Sequence, residues 1–220
     1  MTRKRTAVLI SGRGTNMSAL VGAASNPSFP AEIVLVVADN PEAAGLEKAR
    51  DAGVKTATVD RRSFGNRMTF ETALQTQLEA ARAELVCLAG FMRVLSADFV
   101  ANWLGRMINI HPSILPSFRG VDTHRRALEA GVKLHGCSVH FVEADVDAGP
   151  IIVQAAIPVL AGDTPATLSD RLLPVEHRVF PMALSLLASD AIQVDGDQVR
   201  IDGSPRQETA PLIVPDFGHP

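Results

Sequence analysis

Five short apolar runs, at residues 6–10, 33–38, 56–59, 85–89 and 107–110, alternate along the first half of the chain with longer amphipathic stretches. Each run is too short to be a helix that buries its own face, and several are rich in valine and isoleucine, so they read as strands. Strands separated by helices of this length predict an α/β fold, a mostly parallel sheet with helices on both faces and a Rossmann-like N-terminal half. The second helix is the clearest: Pro41 falls in its first turn, Leu46, Ala49 and Arg50 follow at helical spacing, and Gly53 ends it. In such sheets ligands bind beyond the carboxyl ends of the strands. The loops that follow the runs are therefore where function is expected.

After Gly131 the pattern changes. Runs at 136–142 and 151–159 flank an acidic turn at 143–150, which predicts neighbouring strands antiparallel to the first set. Asp163-Thr164-Pro165 opens a helix that should reach residue 187, with a break or kink at Pro174 or Pro181. Residues 192–201, turning at Asp195-Gly196-Asp197, predict a small hairpin, and the segment after Gly203 is expected to be loosely held. With 220 residues, 46% of them hydrophobic, the chain can bury one good core. A single domain is expected, its core at about 6–189 and the hairpin and tail at 190–220.

Charge narrows the partners. A net charge of −3 gives no reason to expect nucleic acid or an anionic membrane, and no stretch approaches membrane-spanning length. Cys87 and Cys137 lie inside apolar runs and not in CxxC spacing, which fits a reduced cytoplasm. His124, His135, His140 and Cys137 have no zinc-ligand spacing and do not all share a strand face, so no metal is expected.

Three loops carry chemistry. Ser11-Gly12-Arg13-Gly14-Thr15-Asn16 joins the first strand to a helix, where converging backbone N–H groups can hold an anion; it lacks both the third glycine of a dinucleotide loop and the Gly-Lys-Ser/Thr ending of an NTPase loop. A monophosphate is the ligand that fits, the alternative being a plain tight turn. Gly90-Phe91-Met92-Arg93-Val94-Leu95-Ser96 offers apolar side chains and free backbone at a strand end, a slot for a flat heterocycle or simply core. Asn109 and His111, two residues apart at the end of a strand, project to the same side. An amide donor and an imidazole placed so can stabilise an oxyanion and move protons, with Glu143, Asp145 and Asp147 competing to supply the carboxylate that would favour the charged ring.

Read together, Ser11-Gly-Arg-Gly-Thr-Asn16, Leu88-Ala-Gly-Phe-Met-Arg-Val-Leu95, Asn109-Ile-His-Pro-Ser113, His135-Gly-Cys-Ser-Val-His-Phe141 and Asp147-Ala-Gly-Pro-Ile-Ile152 closely resemble the phosphoribosylglycinamide formyltransferases, folate-dependent enzymes of purine synthesis. The resemblance runs from residue 6 to about 187 and implies the formyltransferase fold. It makes Asn109, His111 and Asp147 catalytic, and places the acceptor's phosphate on Gly14, Thr15 and Asn16 with Glu176 as a further substrate contact. It assigns the folate to Met92, Arg93, Val94 and Leu95, with Asn109 and with Val142, Glu143, Ala144, Asp145 and Val146 opposite, and Arg67 near the glutamate tail. The implied donor is 10-formyltetrahydrofolate, a cosubstrate, and the implied acceptor glycinamide ribonucleotide, handled by a monomer or homodimer. Asp122 stands where some members have histidine, and Pro174 lies just before Glu176.

Rival expectations share the trio. A 10-formyltetrahydrofolate hydrolase would use water as acceptor, but needs no phosphate loop and usually carries an added N-terminal regulatory domain. Formyl transfer to methionyl-tRNA would call for a further C-terminal domain and a more basic surface. A non-catalytic nucleotide- or folate-binding regulator would tolerate the loss of His111.

Overall fold

The computed structural model describes residues 2–203 and 212–214. A seven-stranded sheet has the order β3-β2-β1-β4-β5-β6-β7. Its strands are β1 Lys4–Ile10, β2 Ala31–Ala38, β3 Thr56–Thr58, β4 Leu85–Leu88, β5 Met107–His111, β6 Leu134–Phe141 and β7 Ile151–Pro158. The first five are parallel; β6 runs antiparallel to β5 and β7 antiparallel to β6, so of the two strands expected to oppose the first set only β6 does, and β7 points the same way as the first five. Strand order reverses between β1 and β4, so the loops after these two strands open side by side at the point where α/β sheets bind ligands.

Alternation along the strands sorts the core into two layers. Val8 and Ile10 of β1 pack with residues of helices α1 (Thr15–Ala24), α2 (Gly45–Asp51) and α6 (Pro165–Ala188). Ala7 and Leu9 pack on the other face with residues of α3 (Arg67–Ala80) and α4 (Ala97–Asn102). Helices thus cover both faces, and each fully buried side chain such as Leu9 contributes about 1.5–3 kcal/mol. A charged residue at Leu9 would break this layer.

Caps set the helix starts. Asn66 accepts from Thr69 N at the start of α3, Ser96 from Phe99 N at the start of α4, and Thr164 forms a reciprocal capping box with Thr167 on α6. Two expectations need correction. Pro41 lies in a turn ahead of α2, which begins only at Gly45, because the chain first folds back so that Gly45 N donates to Gly12 O at 3.0 Å. Of the break or kink expected in α6, the break is absent: one helix runs through Pro174 and Pro181. The carbonyls these prolines release belong to Asp170, which is exposed, and His177, which is half-buried, so water can take up part of the bonding that is lost.

The closing strands β8 (Ile192–Asp195) and β9 (Gln198–Ile201) form the expected hairpin. The expectation for the segment beyond Gly203 falls on residues 204–211 and 215–220, outside the described residues. The remaining helix, α5 (Thr123–Glu129), precedes β6.

Candidate active site

On β5 the alternation becomes chemistry. Ile108 and Ile110 join the core beneath α6, so Asn109 and His111 must point to the opposite face. There β6 presents His140 across from Asn109 and Ser138 across from His111. The loop between β6 and β7 folds back over this face and brings in Asp147, whose φ of 52° is the left-handed conformation that aspartate tolerates better than most residues. Gly149 makes that fold possible, since a Cβ there would lie 2.1 Å from the Phe141 carbonyl oxygen.

Asp147 Oδ2 lies 3.3 Å from His111 Nδ1 and accepts from Gly120 N at 2.8 Å. Asp147 Oδ1 lies 3.5 Å from Asn109 Nδ2 and 3.7 Å from His140 Nε2. Of the three competing carboxylates, Asp147 is therefore the one beside the imidazole. Asp145 is exposed, and neither it nor Glu143 makes a side-chain hydrogen bond or ion pair among the described residues. His111 Nε2 meets the Phe118 carbonyl at 3.1 Å, so both ring nitrogens face acceptors. Only the protonated ring can donate to both at once.

Asp147 does act upward on His111, as expected of a neighbouring carboxylate, but the net direction is downward. Burial holds His111 below its ordinary value, and the Phe118 carbonyl and Asp147 only partly oppose it. Burial also acts on Asp147, upward, yet the hydrogen bond from Gly120 N and the neighbouring His140 and His111 rings together hold it below the usual carboxylate range. The resting pair is thus a carboxylate beside an imidazole that resists protonation.

His140 is the site residue that the sequence hides. It is buried, its Nδ1 sits 2.8 Å from the Phe141 carbonyl, and its Nε2 sits 3.1 Å from Asn109 Nδ2. The carbonyl fixes the proton on Nδ1, leaving Nε2 to accept from the amide; that in turn fixes which end of Asn109 carries the donors. The 135–141 motif contains the residue but does not show its role, because the partner is 31 residues away and is set only by strand pairing.

At the switch point, Gly14 takes φ 68° as the residue before α1, and a Cβ there would come within 2.6 Å of Gly45 Cα. The start of α1 has no side-chain cap and no acidic residue in its first turn. Asn16 Nδ2 donates to Glu176 Oε2 at 2.7 Å, while Asn16 Oδ1 is buried without a partner among the described residues. Burial pushes Glu176 up, opposed by Asn16 and by the charge of Arg13, a cation of the same loop that sequence reasoning passed over. Gly14, Thr15, Asn16 and Glu176 thus gather at one uncapped helix start.

The loop after β4 is strapped to the glycine loop: Ser11 N donates to Gly90 O at 3.1 Å and Met92 N to Ser11 Oγ at 2.8 Å. Met92, Arg93 and Val94 are exposed, whereas Leu95 and Phe91 belong to the core, so Leu95 has only its backbone to offer a ligand. Among the described residues the backbone groups of Arg93, Val94 and Leu95 make no hydrogen bond. Val142 packs against the same cluster as Phe91 and Leu95, with Glu143, Ala144, Asp145 and Val146 following. Arg67, at the start of α3, is exposed and lies 4.0 Å from Glu71.

A free backbone strip, an uncapped glycine loop and an amide–imidazole–carboxylate trio thus lie at the carboxyl ends of the strands, and residues 4–184 match the formyl transferase family model. The chain belongs to that family. It is 39% identical over 196 residues to the phosphoribosylglycinamide formyltransferase of Escherichia coli, covering 89% of this chain and 92% of that protein. It is 53% identical over 190 residues to the trifunctional purine biosynthetic protein adenosine-3 of Gallus gallus. That match covers 86% of this chain but only 19% of the larger protein, so the chain spans about a fifth of that relative. The crystal structure of glycinamide ribonucleotide transformylase 1 from Symbiobacterium toebii superposes with a TM-score of 0.88 at 45% identity, over 90% of this chain and 94% of that one.

Two further points bear on ligands. His124 and His135 pair with each other, Nδ1 to Nε2 at 3.0 Å, and among the described residues no group of three or more His, Cys, Asp or Glu is placed to hold a metal ion. No described helix is long and apolar enough to cross a membrane.

Proposed function

We propose that this chain transfers the formyl group of 10-formyltetrahydrofolate to the amine of glycinamide ribonucleotide, giving formylglycinamide ribonucleotide and tetrahydrofolate. The observation that carries the reading is the uncapped, glycine-built start of α1 joined through Asn16 to Glu176, since a phosphate-bearing acceptor explains it and a water acceptor does not. The relatives' names point the same way.

The chemistry follows from the trio. The acceptor's neutral amine attacks the formyl carbon, a new C–N bond forms, and the carbonyl oxygen becomes an oxyanion. Asn109, whose contact to Asp147 is a long 3.5 Å, can turn a donor to that oxygen, a stabilisation worth on the order of 3 kcal/mol. Asp147 and His111 relay a proton from the attacking nitrogen towards N10 of the folate. The N10–C bond then breaks and tetrahydrofolate leaves. The free backbone of residues 93–95, facing the 142–146 segment, would fix the pterin, with Met92 and Val94 against it and Arg67 towards the glutamate tail. None of these steps calls for a metal.

The deciding assay follows tetrahydrofolate release with and without glycinamide ribonucleotide. Release that depends on the nucleotide is expected. Release at the same rate without it would replace this reading by a hydrolase.

A further inference from the structure

Three acidic residues are buried as whole residues among those described: Asp39, Glu71 and Glu176. Glu176 belongs to the proposed acceptor site. The other two, from different elements, converge on one loop, residues 90–96. Asp39, at the end of β2, has a fully buried side chain and is ion-paired through Oδ2 to Arg93 Nε, while its Oδ1 has no partner among the described residues. Glu71, on α3, accepts from Ser96 N at 2.7 Å and from the Ser96 hydroxyl. With Ser11 holding Met92 N, the loop is fastened at 92, 93 and 96 while the backbone of 93–95 stays free.

Burying a carboxylate is costly unless something is gained from its partner. Nothing in the sheet needs these two: β2 and α3 are packed by Leu35, Val37, Phe70 and Leu74. What they supply is order in a segment without regular structure, where fixing one residue's backbone costs about 1–2 kcal/mol. A loop ordered beforehand does not charge that cost against ligand affinity.

We infer that Asp39 and Glu71 are positioning residues for the formyl donor: through Arg93 and Ser96 they hold residues 93–95 in the shape that receives the pterin. The Arg93 guanidinium then acts as a strut and need not touch the folate. This rests on the donor assignment made above and adds to it what builds the slot.

The test is steady-state kinetics on Asp39→Asn, Glu71→Gln, Arg93→Gln and the Asp39→Asn/Arg93→Gln double variant, with calorimetric binding of tetrahydrofolate. Asp39→Asn is expected to raise the donor KM and the tetrahydrofolate Kd about tenfold, the size of one residue's ordering cost, with kcat and nucleotide KM within about twofold. Glu71→Gln should act in the same direction. Arg93→Gln should match Asp39→Asn, and the double variant should be no worse than either, because both remove one strut. The inference is overturned if donor KM and Kd stay within about twofold, if the two single effects add, or if both substrates' KM values rise in parallel with a fall in Tm. Failure of the unsubstituted chain to transfer formyl would instead refute the proposed function; the tetrahydrofolate Kd would still report on the slot.

Discussion

Asp147→Asn isolates the charge at the centre of the site. The substitution keeps the shape, and the oxygen of the new side-chain amide can still accept from Gly120 N, so the loop should stay in place. What disappears is a negative charge 3.3 Å from His111 Nδ1, with both side chains nearly buried. At an effective dielectric constant of about 20 the attraction between that charge and a protonated ring is on the order of 5 kcal/mol. Asp147 raises His111 against the downward push of burial, so without it the ring falls further and protonates still less at neutral pH. We expect kcat to drop about 10²–10⁴-fold, the usual worth of a positioned acid-base group. Nucleotide Kd should stay within about twofold, because the glycine loop and Glu176 are untouched, and Tm should shift little. Tetrahydrofolate release at saturating substrates measures the first, and calorimetry the second. Turnover within about fivefold of the unsubstituted chain would show that proton movement does not pass through Asp147.

His140→Phe should lower kcat about tenfold with both KM values nearly kept, since it removes the acceptor that orients Asn109 but no group that touches substrate; unchanged kcat would refute that role. Glu176→Gln should raise Tm at pH 7.5 and raise nucleotide KM. Burial lifts the Glu176 carboxyl, so its charge costs stability above that raised value, and the Tm difference should vanish near pH 3, well below the ordinary glutamate value, where the side chain is neutral in both folded and unfolded chains. His135, pushed down to about 4 by burial, is neutral when folded while the unfolded chain binds its proton first. Stability should therefore fall as pH drops from about 6.5 to about 4, by at most about 3 kcal/mol from this group, and His135→Gln should flatten that slope in urea titrations.

Much of this is legible in the chain. The five parallel strands, the reversal after Gly131 and the hairpin follow from periodicity, because a sheet covered on both faces leaves its apolar runs unbroken. Asn109 and His111 can be paired because two residues along a strand is a geometric statement. Asp147 cannot be chosen over Asp145 and Glu143 by spacing; its left-handed backbone and the close approach at Gly149 decide it, and both depend on where β6 ends. His140, Asp39 and Glu71 stay hidden for a related reason. Each acts on a group far along the chain, and each sits in a segment whose local pattern is that of ordinary core. The direction of the His111 shift is misread from sequence because a sequence shows the neighbouring charge but not the burial that outweighs it.

The alternation on β5 also guards the assembly of the protein. If the strand slipped by one residue against β4 and β6, Asn109 and His111 would turn into the apolar layer beneath α6, and Ile108 and Ile110 would turn out of it. An amide and an imidazole stranded there without partners would each lose several kcal/mol. The groups proposed to do the chemistry thereby act as proofreaders of folding: a misaligned chain is penalised by the same side chains whose misplacement would leave it inactive. Recovery of turnover during refolding should then track correctly aligned sheet alone, with no partly active population from slipped strands.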